Sequence, residues 1–189
     1  MINKFKDINL CVFCGSKKGI SSDYENMSIE LGKIIAKNNI KLIYGGGEEG
    51  LMGVLANSVL YNGGTVEGIL PSFFPKPSFQ SQFFKISVVK NMSERKDKFI
   101  GISDAFCILP GGIGTLDEFF EVITQKQLKI HNKPIILVNW KGYWNKLMDS
   151  MIFLEKSGFF HIPIRNLFTT VEMTSEILPV VSKEIINKS

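Results

Sequence analysis

Cysteine and histidine are scarce in this chain of 189 residues, with three of the first and two of the second. An odd, small set of cysteines builds no disulfide framework, so Cys11, Cys14 and Cys107 read as free thiols in a reducing compartment. Cys11 and Cys14 form a C-x-x-C, but a metal site of that kind needs a second pair or nearby histidines. His131 and His161 are far along the chain, so no metal is expected. Long hydrophobic runs are missing as well. None reaches the roughly 18 residues of a membrane helix, and the polar, charged stretch 1–7 does not read as a signal peptide. A cytoplasmic protein with no membrane partner is expected. Charge of one sign is also modest, at a net +4. The basic residues, among them Lys17, Lys18, Lys85, Lys90, Arg95, Lys96 and Lys98, are scattered, which sketches no nucleic-acid face; a small anionic ligand accounts for the bias. Repeats, low-complexity tracts and linkers are absent too. With 44% hydrophobic and 21% charged residues the chain suits a single unstapled domain over 1–189.

What is present is an alternation. Apolar runs of strand length fall at 8–13, 41–44, 65–70, 84–89, 105–109 and 135–139, with a shorter one at 167–171. Segments of helical periodicity lie at 23–37, 51–62, 93–102, 115–128, 143–157 and 175–187, with Asn38-Asn39 and Asn62-Gly63-Gly64 as helix stops. Strand and helix in turn predict an α/β fold, Rossmann-like and doubly wound, with a mainly parallel sheet flanked by helices. Ligands of such sheets lie beyond the carboxyl ends of the strands. One long irregular connection stands out at 71–82, rich in proline and phenylalanine including Phe73, Phe74 and Phe79, and reads as a lid or a subunit contact.

Two glycine-rich loops sit at strand ends and lead into helices: Gly45-Gly46-Gly47-Glu48-Glu49-Gly50 and Pro110-Gly111-Gly112-Ile113-Gly114-Thr115-Leu116-Asp117-Glu118. Glycine lets backbone approach a ligand, and a helix start offers unpaired amides and a positive dipole end, so both loops are candidate phosphate cradles. The turn Cys14-Gly15-Ser16 falls at a third strand end. Gly45-x-Gly47-x-x-Gly50 formally matches a dinucleotide fingerprint, with Glu67 at the distance of a ribose-binding acid, and an NAD(P)-dependent oxidoreductase is one rival reading. In the second loop Thr115 stands where an N-cap should, and two readings of Glu118 stay open. Either it closes a capping box onto Thr115, or it acts on a ligand. Glu121 reads as a solvated helix residue. Arg95 and Lys96 open the preceding helix, where they either face solvent or clamp an anion.

At these residues the chain resembles the Lonely Guy family of cytokinin riboside 5′-monophosphate phosphoribohydrolases, often mislabelled lysine decarboxylases. The resemblance rests on Tyr44-Gly45-Gly46-Gly47, Gly50-Leu51-Met52-Gly53, Glu94-Arg95-Lys96, Pro110-Gly111-Gly112-x-Gly114-Thr115, Glu118 and Ile130-His131-x-Lys133-Pro134. It implies hydrolysis of the N-glycosidic bond of a nucleoside 5′-monophosphate to free base and ribose 5-phosphate, without a cofactor. By the same resemblance Arg95 and Glu118 are catalytic, Lys96, the run 112–118 and Thr124 contact substrate, and the protein is a homodimer whose subunits contribute to each other's sites. Together with the loops, the expected binding set is Gly15, Ser16, Gly45, Gly46, Gly47, Lys96, Gly111, Gly112, Ile113, Gly114, Thr115, Leu116, Asp117 and Thr124. The chain departs from the family at Ser93, where histidine is common, at Ile113 in place of an aromatic, and at Gln125 in place of tryptophan. These departures bear on the base and leave plain AMP as a candidate substrate. A further rival is a non-catalytic nucleotide carrier of the same fold, in which Glu118 is only a cap.

Overall fold

The computed structural model describes Phe5 and residues 8–186; the rest of the expected polar lead 1–7, and Asn187 at the end of the last expected helix, lie outside the described residues. The described residues form seven strands and six α-helices, alternating except between β3 and β4: β1 (Asn9–Phe13), α1 (Ser22–Lys37), β2 (Lys41–Tyr44), α2 (Gly50–Tyr61), β3 (Thr65–Pro71), β4 (Phe84–Val89), α3 (Met92–Ile102), β5 (Ala105–Ile108), α4 (Ile113–Gln127), β6 (Ile135–Val138), α5 (Asn145–Lys156), β7 (Thr169–Val171) and α6 (Ile177–Ile186). The strands form one sheet in the order β4-β3-β2-β1-β5-β6-β7, and every neighbouring pair is parallel. The "mainly parallel" expectation is therefore met by a wholly parallel sheet. Every connection is long, as parallel pairing demands: a crossover helix joins most successive strands, and the irregular stretch 72–83 joins β3 to β4.

Alternation along each strand divides the core into two layers. Leu10 and Val12 of β1 pack with Leu31 and Ile35 of α1, Leu55 of α2 and Val181 of α6, whereas Cys11 and Phe13 pack with Phe99 of α3, Phe119 of α4 and Met151 of α5. Burial on both faces explains why the central strands read as unbroken apolar runs instead of alternating with polar residues. Cys11 and Cys14 fall in opposite layers of this core, so the C-x-x-C cannot close on one ion, and burial pushes both thiols well above their ordinary range. The helix stops act as expected: Asn38 and Asn62 cap α1 and α2, and Asn39 and Gly63 follow with positive φ.

The strand order reverses between β1 and β5. Their carboxyl ends carry loops that part to opposite layers, which opens a crevice there. Three loops are stitched together at this point: the Gly15 amide donates to the Pro110 carbonyl at 3.1 Å, Leu51 to Gly15 at 3.0 Å, and Leu109 to Phe13 at 2.9 Å.

Candidate active site

The second glycine loop becomes a helix start two residues earlier than the sequence suggests. Gly112 is the N-cap, and the Leu116 amide makes the first helical bond to its carbonyl at 3.0 Å. The amides of Ile113, Gly114 and Thr115 thus have no partner within the helix. Thr115 is therefore not the cap expected from the sequence. It is 3% exposed, and its hydroxyl occupies the place where a Cβ on Gly111 would fall. The capping-box reading fails with it, because Glu118 does not reach back to a cap. Its carboxylate instead meets the Arg95 guanidinium of α3 at 3.1 Å, with each side chain 12% exposed.

Arg95 is held from three sides. Its Nε donates to the Ile69 carbonyl at 3.1 Å and its Nη2 to the Gly45 carbonyl at 3.0 Å, at the carboxyl ends of β3 and β2. Its guanidinium carbon also lies 5.1 Å from the centre of the Phe99 ring. A Cβ at Gly45 would collide with that guanidinium, so the first loop's glycine makes room for an arginine. Basic residues in a helix's first turn would oppose its dipole, but Arg95 and Lys96 do not stand there. Asn91 caps α3 by accepting the Glu94 amide at 2.9 Å, Glu94 supplies the acid of the first turn, and Arg95 lies beyond it.

Glu118 and Arg95 face a cleft of about 360 Å³. Its walls are Ser16, Gly45 and Gly47, the α4 start from Gly112 to Thr115, and the apolar side chains of Met52, Leu70 and Phe74. A smaller hollow of about 220 Å³ adjoins it through Ser16 and Gly112, and contains Gly15, Gly111 and Tyr143. The Tyr143 hydroxyl donates to the Gly111 carbonyl at 2.8 Å and fixes that loop. Burial pushes the Glu118 carboxyl up to about 7, against the opposing pull of Arg95 and with Asp117 adding to the rise. A carboxyl poised there can take or give a proton near neutrality. Cys14 also lines the cleft but stays a thiol, because burial and then Glu118 both disfavour its anion.

Several expected site residues lie elsewhere. Lys96 does not line the cleft; it pairs with Glu121 at 2.9 Å and Asp117 at 3.3 Å, and hydrogen bonding to Glu121 raises its pKa. Glu121 is accordingly no free solvated residue, and its pKa is lowered by Lys96. Asp117 is turned outward to that lysine. Leu116 packs on the α3–α5 layer of the core, and Thr124 is exposed about three turns along α4, away from this cleft. Gly46 packs on Leu70 with φ of +81°. Glu67, the candidate ribose acid, is buried on β3 between Lys41 at 2.5 Å and Ser87 at 2.6 Å. It belongs to the sheet, far from the strand ends where a dinucleotide would sit, so the NAD(P) reading loses its acid. Glu48 is likewise spoken for, accepting from the Ser78 amide and hydroxyl at 2.7 and 2.6 Å. The sequence reading did not assign Met52, Leu70, Cys14 and Phe74 to the site. Phe74 carried one usable signal: it belongs to the long loop 71–82, just past a strand's carboxyl end.

A family described as possible lysine decarboxylase matches residues 52–181. A cytokinin riboside 5′-monophosphate phosphoribohydrolase of Arabidopsis thaliana is 39% identical over 177 residues, covering 93% of this chain and 82% of its own. One of the same name from Oryza sativa is 36% identical over 170 residues, with 89% and 70% covered. Among solved structures, the molybdenum cofactor carrier protein of Chlamydomonas reinhardtii aligns with a TM-score of 0.71 at 22% identity, over 95% of this chain and 98% of that one. The molybdenum cofactor binding protein of Rippkaea orientalis aligns at 0.70 and 20%, over 93% and 96%. These two likenesses are likenesses of fold.

Proposed function

The chain belongs to the cytokinin riboside 5′-monophosphate phosphoribohydrolase family, and on that premise we propose that it hydrolyses the N-glycosidic bond of a purine nucleoside 5′-monophosphate, AMP or an N6-substituted AMP, to the free base and ribose 5-phosphate. The observation that carries this is the meeting of Glu118 with Arg95 in the same cleft as the open start of α4. The 5′-phosphate sits on the Ile113, Gly114 and Thr115 amides, favoured by the helix dipole. That anchor presents the sugar to Glu118, one turn further along the same helix, and the reacting groups are held together instead of meeting by diffusion.

Departure of the base leaves an oxocarbenium-like sugar, which the Glu118 carboxylate stabilises while it orients and deprotonates the attacking water. Arg95 holds that carboxylate in place. Three of the five N–H groups of a guanidinium are engaged in the bonds above, and the remaining two are free to meet ribose or phosphate oxygens. Pyridoxal-dependent lysine decarboxylation does not fit, because no lysine lines this cleft among the described residues and that chemistry needs a Schiff-base amine.

The protein acts as a homodimer in the cytoplasm. Phe120, Leu128 and Ile130, exposed on and just beyond α4, supply an apolar contact. Thr124 on the same helix can touch substrate only in the cleft of a second copy. Three buried free thiols suit a reducing compartment.

Incubation with nucleoside monophosphates, nucleosides and triphosphates, followed by chromatography of every free base, tests the reading. Base release confined to monophosphates is expected. Tight AMP binding with no base after hours would favour a carrier instead, the role named for the structurally similar molybdenum cofactor proteins.

A further inference from the structure

The cleft is unevenly built, and the unevenness bears on the base; this inference rests on the hydrolase reading above. Its floor carries Glu118, Arg95 and Thr115, whereas its mouth carries Phe74, 48% exposed, and Ile113, 82% exposed. A phenyl ring left half in water forfeits the burial that usually holds such a ring. The backbone that carries the ring is nonetheless firmly placed. The Phe74 amide donates to the Pro71 carbonyl at 3.0 Å and the Ser72 amide to Val89 at 2.8 Å, which ties this turn to the ends of β3 and β4. The Phe73 ring leans against it with centroids 4.9 Å apart and planes inclined by 38°.

The hydrogen-bonding side chains that line the cleft, among the described residues, are Cys14, Ser16, Arg95, Thr115 and Glu118. Arg95 is tied to two carbonyls and Glu118 and turns its two remaining N–H groups to ribose or phosphate oxygens, and Glu118 serves the sugar carbon. Cys14 and Thr115 are 6% and 3% exposed. That leaves the Ser16 hydroxyl, which both donates and accepts and so does not tell an amino from a keto group.

We propose that Phe74 is the specificity-determining residue of this cleft: its ring stacks on the base of a purine nucleoside 5′-monophosphate, Ile113 completes the apolar mouth, and the edge of the base goes unread. Stacking accepts any base and rewards area. Purines are therefore preferred over pyrimidines, adenine, hypoxanthine and guanine are treated alike, and the open mouth admits N6 substituents.

Steady-state kinetics on AMP, IMP, GMP and UMP with Phe74→Ala, Phe74→Leu and Phe74→Tyr test this. The Ala variant is expected to raise KM for AMP about tenfold with kcat within about threefold, because stacking acts alike on substrate and transition state. Tyr restores the wild-type KM and Leu falls between. In the wild type, kcat/KM for IMP and GMP lies within about tenfold of AMP, with UMP lower by about tenfold or more. An unchanged KM in the Ala variant, or a preference for AMP over IMP beyond about a hundredfold, overturns the proposal. If the wild type releases no base, the hydrolase reading falls instead, and calorimetric Kd values for AMP on the same variants decide the stacking separately. An Ala variant weaker by about tenfold supports it, and an equal Kd overturns it.

Discussion

Gly45-Gly46-Gly47-Glu48-Glu49-Gly50 and Pro110-Gly111-Gly112-Ile113-Gly114 both follow a parallel strand and both lead into a helix. A Cβ added to Gly50, at φ +63°, would fall 2.3 Å from the carbonyl carbon of Ser16, whereas one added to Gly112 or Gly114 would meet nothing within 4 Å. Gly45 and Gly50 of the first loop make room for the protein itself. They let α2 press on the loop after β1 and let Arg95 reach the ends of β2 and β3. The second loop's later glycines leave a helix start bare toward the cleft. Glycine in a loop thus signals close approach without saying what approaches, protein or ligand.

The largest effect belongs to Glu118→Gln, which keeps shape and removes the base. It should cost about 10²- to 10⁴-fold in kcat with the fold intact, read from adenine release and circular dichroism, and near wild-type turnover would reject the role of Glu118. The same residue sets a pH dependence. Burial holds its carboxyl at about 7 in the folded protein against 4.5 for an ordinary glutamate, so between these values the folded state holds a proton that the unfolded state has lost. Wild-type stability relative to Glu118→Gln is therefore greatest below pH 4.5, falls as pH rises through about 7, and is level above, a swing of about 3 kcal/mol read from urea midpoints. In activity the sign is opposite: kcat/KM should rise toward a plateau above about pH 7 as the carboxylate forms.

Gly50→Ala comes next. It combines a left-handed backbone with a backbone collision and should destabilise by about 2 to 3 kcal/mol in denaturant melts. Smallest is Gly114→Ala, inside the first turn of α4 in open space, expected to stabilise by about 0.5 to 1 kcal/mol while affecting AMP binding. Equal behaviour of the two alanine variants would erase the distinction between the loops.

How far the site could be read in advance follows from the kind of interaction. The Rossmann-like sheet was legible because burial on both faces writes itself into unbroken apolar runs, and helix stops into Asn and Gly. Glu118 and Arg95 were legible as candidates through the resemblance. Their partners were not: Thr115-Leu116-Asp117-Glu118 spells a capping box, and only the earlier start of the helix at Ile113 turns Glu118 from its own backbone to Arg95. Whether Lys96 faces solvent or clamps an anion stayed open for want of knowing that Asp117 and Glu121 lie beside it. Glu67 read as a ribose acid because spacing along a chain does not say whether a side chain points into a sheet or beyond its end.

The sequence alone determined the layered α/β fold and the order of its elements, since local propensity and alternation of polarity are properties of neighbours in the chain. The tertiary structure decided which charges meet. Ion pairs and clefts join residues 23 apart, as Arg95 and Glu118 are, or loops from β1, β2, β3 and β5, and nothing local specifies such a meeting. Whether one carboxylate folds back on its own helix start or meets an arginine was settled by the strand order that brings α3 and α4 to the same crevice.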